Sequence, residues 1–327
     1  MIAAHADWST DPRKRWVSIA RRGADGWRAE APVPVGDPAA LAAALIAEGA
    51  PVALGLDLPL GVPRGYAAQR PEAGFLPFLR GLADRPGFFQ VAAKLAEVSR
   101  ERPFYPARGV KGMTRAAHAA ALGLPDAQAL SRLCDRATAE RPAGAPVFWT
   151  LGANQSGKAA IAAWRDWLAP GLARGAPYAL WPFEGGIHAL LAPGRAVLAE
   201  VYPAEALRHC GLVLRGSKRV QADRAAVAAP LLAAMDARRM APAAALRDMV
   251  RDGFGADAAG EDRFDSVIGL LGLVGVLDGL RPDVVPDDDA VRRWEGWVLG
   301  QAAPPAGAGV TGGRDAATLA PTRRGRA

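Results

Sequence analysis

Pro51-Val-Ala-Leu-Gly-Leu-Asp57 is a continuous apolar run that ends in a carboxylate. Unbroken hydrophobicity over so short a span marks a strand buried on both faces, as in the parallel part of an α/β sheet. Leu58-Pro-Leu-Gly-Val-Pro63 follows, and its two prolines stiffen the backbone just past the strand, at the sheet edge where α/β folds bind ligands. Upstream, residues 2–8, 15–21 and 26–31 read as three short strands separated by turns at 9–14 and 23–25, so an antiparallel meander opens the chain. Asp37-Pro38 supplies an N-cap and a first-turn proline for a helix reaching residue 48. By residue 57 the sequence therefore predicts an α/β protein with a mixed sheet.

Residues 64–146 break this rhythm. Rich in Pro, Arg and aromatic side chains, they predict a helical insertion over the C-terminal edge of the sheet, with helices near 90–100, 114–122 and 127–140. Beyond it the pattern predicts a strand at 147–151, a helix at 158–173, and strands at 178–184 and 195–202. Helices follow at 203–209, 219–237, 242–252, 261–280 and 287–299. From Gly300 onward the chain is low-complexity Ala/Gly/Pro with terminal arginines, which predicts a disordered tail behind one folded domain of residues 1–299.

With 327 residues, half of them hydrophobic, the chain is long enough for a sizeable core. Cys134 and Cys210 are too few for a disulfide framework, and no Cys/His spacing suits zinc, so a reducing cytoplasm is expected. Early polar residues (His5, Asp7, Asp11) interrupt any signal-peptide core, and the longest apolar run, 267–277, falls short of the roughly 20 residues that span a bilayer. The sequence thus reads as soluble and without a membrane partner. The net charge of +7 comes from 40 basic and 33 acidic residues, but the tail concentrates Arg314, Arg323, Arg324 and Arg326 against Asp315. The remaining surplus permits phosphate binding without requiring it. Basic clusters lie at 13–15, at 94–115, and at Arg208, Arg215, Lys218 and Arg219; a solvated face accounts for each taken singly.

The chemistry centres on acids. Asp57, rigidly presented at a strand end, suits a metal ligand, and so does Asp7 at the end of the first strand; each also suits a turn cap. Asp262 and Asp265 lie three residues apart at the start of a long apolar helix, with Glu261 four before Asp265. First-turn acids stabilise a helix by roughly 0.3–1 kcal/mol, which explains Asp262. Asp265, between Phe264 and Val267-Ile268, falls near the buried face, where an acid needs a cationic partner.

The order strand-Asp, two strands, helix, strand-Asp and a final acidic helix is similar to the ribonuclease-H-like superfamily. His5-Ala-Asp-Trp, Gly55-Leu-Asp-Leu-Pro-Leu-Gly, Trp181-Pro-Phe-Glu, Glu200-Val-Tyr-Pro and Glu261-Asp-Arg-Phe-Asp265 resemble a predicted-nuclease family, domain of unknown function 429, over about residues 2–280. The resemblance implies a mixed five-stranded sheet flanked by helices, with Asp7 on the first strand, Asp57 on the fourth and Asp262/Asp265 on the last helix. It further implies a nuclease acting on DNA or RNA, with Mg2+ or Mn2+ held by Asp7, Asp57, Asp262 and Asp265. Glu200 and Glu184 match family phrases, and Glu200 is carried as a further candidate metal ligand. Two hard cations about 3.5–4 Å apart would activate a water and stabilise the leaving oxygen, and carboxylates with waters are the ligands such ions take. Lys158, Lys218 and Arg219 are candidate phosphate contacts. His5 and His188 are candidate proton shuttles, although a lone histidine is more often structural.

Gly152-Ala-Asn-Gln-Ser-Gly-Lys-Ala159 nearly reproduces the phosphate-binding P-loop, but Ala159 lacks the hydroxyl that such loops offer magnesium. Two other classes therefore stand beside the nuclease: an ATP-binding or phosphotransfer protein using 152–159, and a catalytically inactive nucleic-acid-binding or scaffold protein.

Overall fold

The computed structural model describes residues 1–109, 113–138, 142–151 and 156–302. Its strands are β1 (Ile2–Asp7), β2 (Trp16–Gly23), β3 (Gly26–Ala29), β4 (Val33–Pro34), β5 (Val52–Leu56), β6 (Tyr178–Leu180), β7 (Ala196–Glu200) and β8 (Met240–Pro242). They form one sheet in the order β6-β7-β5-β1-β2-β3-β8, with β4 beside β2. β2 is antiparallel to β1 and β3, whereas β5, β7 and β6 continue parallel from β1. The protein is therefore α/β with a mixed sheet, which has eight strands in place of the five that the resemblance implied; β8 and the short β4 beside β2 were not expected. The strand expected at 147–151 reduces to an isolated bridge between Tyr105 and Trp149.

Side-chain alternation divides the core into two layers. Ile2, Ala4, Ala6, Val52, Leu54, Leu56, Ala196 and Leu198 face one layer, built with the 64–168 region. Ala3, Ala53, Val197, Ala199 and Val201 face the other, under the helix Gly260–Leu277. That helix comes close. A Cβ added at Gly269 would lie 2.1 Å from the His5 ring, so glycine there is what admits the histidine between helix and sheet.

Local chemistry explains the remaining elements. Asp37 caps the helix Pro38–Ala47 by accepting from the amides of Ala39 and Ala40. The helix expected at 219–237 is two, Gln221–Ala225 and Ala228–Asp236; Pro230 lacks an amide and is tolerated only in the first turn of the second. Pro170 similarly accompanies a widened turn at Trp164–Leu168, between Ser156–Ala163 and Ala169–Ala173. In the insertion, Arg115–Ala121 forms the expected helix, whereas 90–100 keeps one 3₁₀ turn, Leu95–Glu97. The segment expected as a helix at 127–140 holds instead two 3₁₀ turns, Ala127–Leu130 and Leu133–Asp135, with residues 139–140 outside the described residues. Edge-to-face contacts among Tyr66, Phe78, Phe88, Phe104 and Phe148 hold the insertion together in place of long helices. At 287–299 one widened turn, Val291–Glu295, replaces the expected helix. Among the described residues, no helix is long and apolar enough to cross a membrane. The expected tail lies outside them from residue 303.

Candidate active site

Asp7 is the last residue of β1, and Asp57 follows β5 directly, its amide donating to the Ala6 carbonyl at 3.0 Å. Because Ala6 pairs in register with Leu56, the two aspartates emerge side by side on the face covered by Gly260–Leu277. The first turns of that helix bring Asp262 and Asp265 to the same place. All four aspartates line one cavity of about 590 Å³, together with Glu261, Trp8, Tyr202 and the cations Lys14, Lys158, Arg208 and Lys218.

Asp7 and Asp265 are only 7% and 6% exposed. Burial raises the proton affinity of every aspartate here, and neighbouring charge adds to it. Asp7 is pushed well above the usual carboxylate range by burial and then by Asp265, Asp57 and Asp262. Asp57 rises to about 7 through burial and then Asp265, and Asp262 to about 6 through burial and then Glu261. Asp265 is also raised by burial, against the pull of Lys218. Lys218 donates its ammonium to Asp265 and stands 3.4 Å from Glu261. Burial disfavours the charge on Lys218, yet these acids more than offset it and hold the proton more tightly than usual.

Two polar atoms here are buried without a hydrogen-bond partner: Asp262 Oδ2 and Trp8 Nε1. Trp8 is held rigidly, stacked on Trp167 at 5.6 Å with the Arg15 guanidinium 4.4 Å from the indole centroid. Among the described residues, no three His, Cys, Asp or Glu side chains already form a metal cage. The acids repel one another, and the Lys218 ammonium is where their charges meet.

Other expected site residues lie elsewhere. Glu200, at the end of β7, pairs in register with Leu56 and so faces the layer opposite Asp57. Both its oxygens are taken: Arg132 donates at 2.6 and 2.7 Å, and the Leu60 amide at 2.7 Å. Glu200 is therefore a buried structural ion-pair partner rather than a ligand of the cavity. Glu184 accepts from the Leu180 amide at 2.6 Å and stabilises a turn. His5 is sealed between helix and sheet, its ring nitrogens 3.2 Å from the Ser266 and Val201 carbonyls, and burial lowers its pKa to about 4. It does not line the cavity, nor does the exposed His188. Arg219 lies outside the cavity wall, 3.6 Å from Glu261. Lys158 does line the cavity, while residues 152–155 of the P-loop-like segment lie outside the described residues.

Sequence reading missed Trp8, Tyr202 and Lys14 as cavity residues. Lys14 had a signal, the basic run 13–15, but only the fold separates its three members. Arg13 pairs with Asp11, Arg15 covers Trp8, and Lys14 reaches the cavity. No protein-family model, curated protein or solved structure matches this chain.

Proposed function

We propose that this protein is a metal-dependent phosphodiesterase acting on nucleic acid, with a ribonuclease-H-like arrangement of its site. One observation carries the reading: four aspartates from two adjacent strand ends and one helix start share a single cavity, and each holds its proton more tightly than usual. The meander followed by parallel strands, with the acidic helix packed across β1, supports the same reading.

The donor set fits Mg2+ or Mn2+. All four side chains offer hard oxygen donors, and the buried Asp262 Oδ2 has no partner of its own. Asp7, Asp57, Asp262 and Asp265 would hold the ion, which when bound supplies Lewis acidity and lowers the pKa of water. The remaining roles belong to the chain. Burial and neighbouring charge raise the proton affinity of Asp7 and Asp57, so a cation binding there would compete with protons and bind more tightly as pH rises. Lys14 and Lys158, at the cavity wall, attract and orient a phosphate. Because Lys158 lines the carboxylate cavity, its resemblance to a P-loop lysine adds a phosphate contact to this site and does not call for a separate nucleotide site.

The purified protein with Mn2+ is expected to cleave members of a panel of single-stranded, structured and duplex DNA and RNA. Asp7→Asn is expected to abolish cleavage and keep salt-sensitive binding, since phosphate contacts by lysine do not need the metal. A panel neither cut nor bound at low salt would defeat the reading, and ATP turnover with Lys158→Ala as control would become the next assay.

A further inference from the structure

We propose that Lys218 takes the place of a second cation, so that this site binds a single divalent ion. The inference rests on the phosphodiesterase reading and sharpens it, because a carboxylate cluster of this size would otherwise accept two ions.

Lys218 is built into the cluster. Its ammonium donates to Asp265, lies 3.4 Å from Glu261, and lines the same cavity as Asp7, Asp57 and Asp262. One positive centre thus shares the cavity with all five acids. An ammonium is a compact point charge with donors and no lone pair. Seated on Asp265, it neutralises one side of the cluster and repels a divalent ion approaching the same oxygen.

The backbone under this lysine is fastened in place. Arg224, 1% exposed, donates one nitrogen to the Lys218 carbonyl, and its other two to the carbonyls of Gly253 at 2.8 Å and Gly255 at 2.6 Å. A Cβ at Gly260 would lie 2.3 Å from Arg224 Nη2, so the helix that carries Asp265 begins with the residue that makes room for this anchor. Arg224 is therefore a positioning residue that ties the 211–220 loop to the start of the acidic helix. Asp7, Asp57 and Asp262 line the same cavity, Asp262 Oδ2 has no hydrogen-bond partner, and these oxygens together with the second Asp265 oxygen are where one ion would sit.

The test counts ions on the full-length chain. Mn2+ is titrated into metal-free protein and free ion is read by electron paramagnetic resonance. One ion per chain is expected for the unmodified protein and for Lys218→Arg, and two for Lys218→Ala and Lys218→Gln. The Lys218 side chain is 45% exposed, so its removal is expected to leave the fold intact, as circular dichroism would verify. Two ions in the unmodified protein overturn the inference and leave the phosphodiesterase reading standing. One ion throughout the series also overturns it, because Lys218 would then not be what excludes the second. No ion in any variant defeats both readings together.

Discussion

At the same edge of the sheet, its two faces carry clusters of acids with opposite fates. On the face of Leu56, Arg132 donates to both oxygens of Glu200 and both of Asp135, while Glu295 receives Arg64 at 2.7 Å and the Leu133 amide at 3.3 Å. On the face of the Gly260–Leu277 helix, Asp7, Asp57, Asp262, Asp265 and Glu261 gather around Lys218. The first cluster matches donors to acceptors and is sealed. The second has more charge than partners and opens into a cavity. Acids that only support the fold are satisfied within it, so a cluster left in deficit points to a ligand from outside.

The largest expected effect comes from breaking the satisfied cluster. Arg132→Leu leaves Glu200 and Asp135 buried without their cation, which is expected to cost about 3–5 kcal/mol. A urea midpoint unchanged by this substitution would remove the contrast between the faces. Next in size is the response of the other cluster to metal. At about 100 times its dissociation constant, Mn2+ is expected to stabilise the fold by about 2.7 kcal/mol, seen as a rise in Tm. Asp265→Asn is expected to blunt that rise. Asp288→Asn, altered beside Arg64 on the satisfied side, should leave it intact, and equal blunting by both variants would show that the response is not local to the cavity.

Removing an acid from the unsatisfied cluster should act with the opposite sign to Arg132→Leu. The carboxyl of Asp57 titrates at about 7 in the fold against 3.8 as its ordinary value. Its protonated form is therefore favoured by folding: the contribution is complete below about pH 4 and is lost as pH rises to about 7. Metal-free protein should lose stability across that window. Asp57→Asn, which does not titrate, should flatten the profile and be more stable at pH 8 by about 1–2 kcal/mol. Denaturant melts at pH 5 and pH 8 check this; a profile as steep as that of the unmodified protein would assign the titration to another group.

The unsatisfied cluster was the more legible of the two in sequence. Asp7 and Asp57 end apolar strands, and Asp265 interrupts an apolar helix, so each breaks a local pattern at a place where partners are needed. Glu200 also ends an apolar strand, but it entered as a candidate ligand only through its match to a family phrase. Its face depends on the pairing of Leu56 with Glu200, one residue before Asp57, and a shift of one residue reverses the side of the sheet. Register is a tertiary property, as is the contact from Arg132 across 68 residues of chain. The mixed sheet itself followed from local periodicity, whereas β8 is three residues long and ends in proline, too little for any pattern to show. The role of His5 was legible only in retrospect. Gly269, which shares the apolar stretch of its helix with Gly272 and Gly275, marks the close approach that seals the histidine away from the cavity.

The smallest expected effect separates members of one basic run. Arg13 is occupied by Asp11, and Arg15 by the face of Trp8 and the carbonyls of Ser9 and Thr10. Lys14 is exposed, lines the cavity and eases the ionisation of Asp262. Were the run a generic solvated face, neutralising any one member would weaken nucleic-acid binding alike. If Lys14 alone meets a phosphate beside the aspartates, Lys14→Ala should lower the slope of log affinity against log salt by about 0.7–0.9, the value of one lost phosphate contact. Arg13→Ala, which also frees Asp11, should leave that slope unchanged. Binding isotherms with catalytically silent Asp7→Asn protein at several salt concentrations measure both, and equal slopes for the two variants would return Lys14 to the ordinary surface.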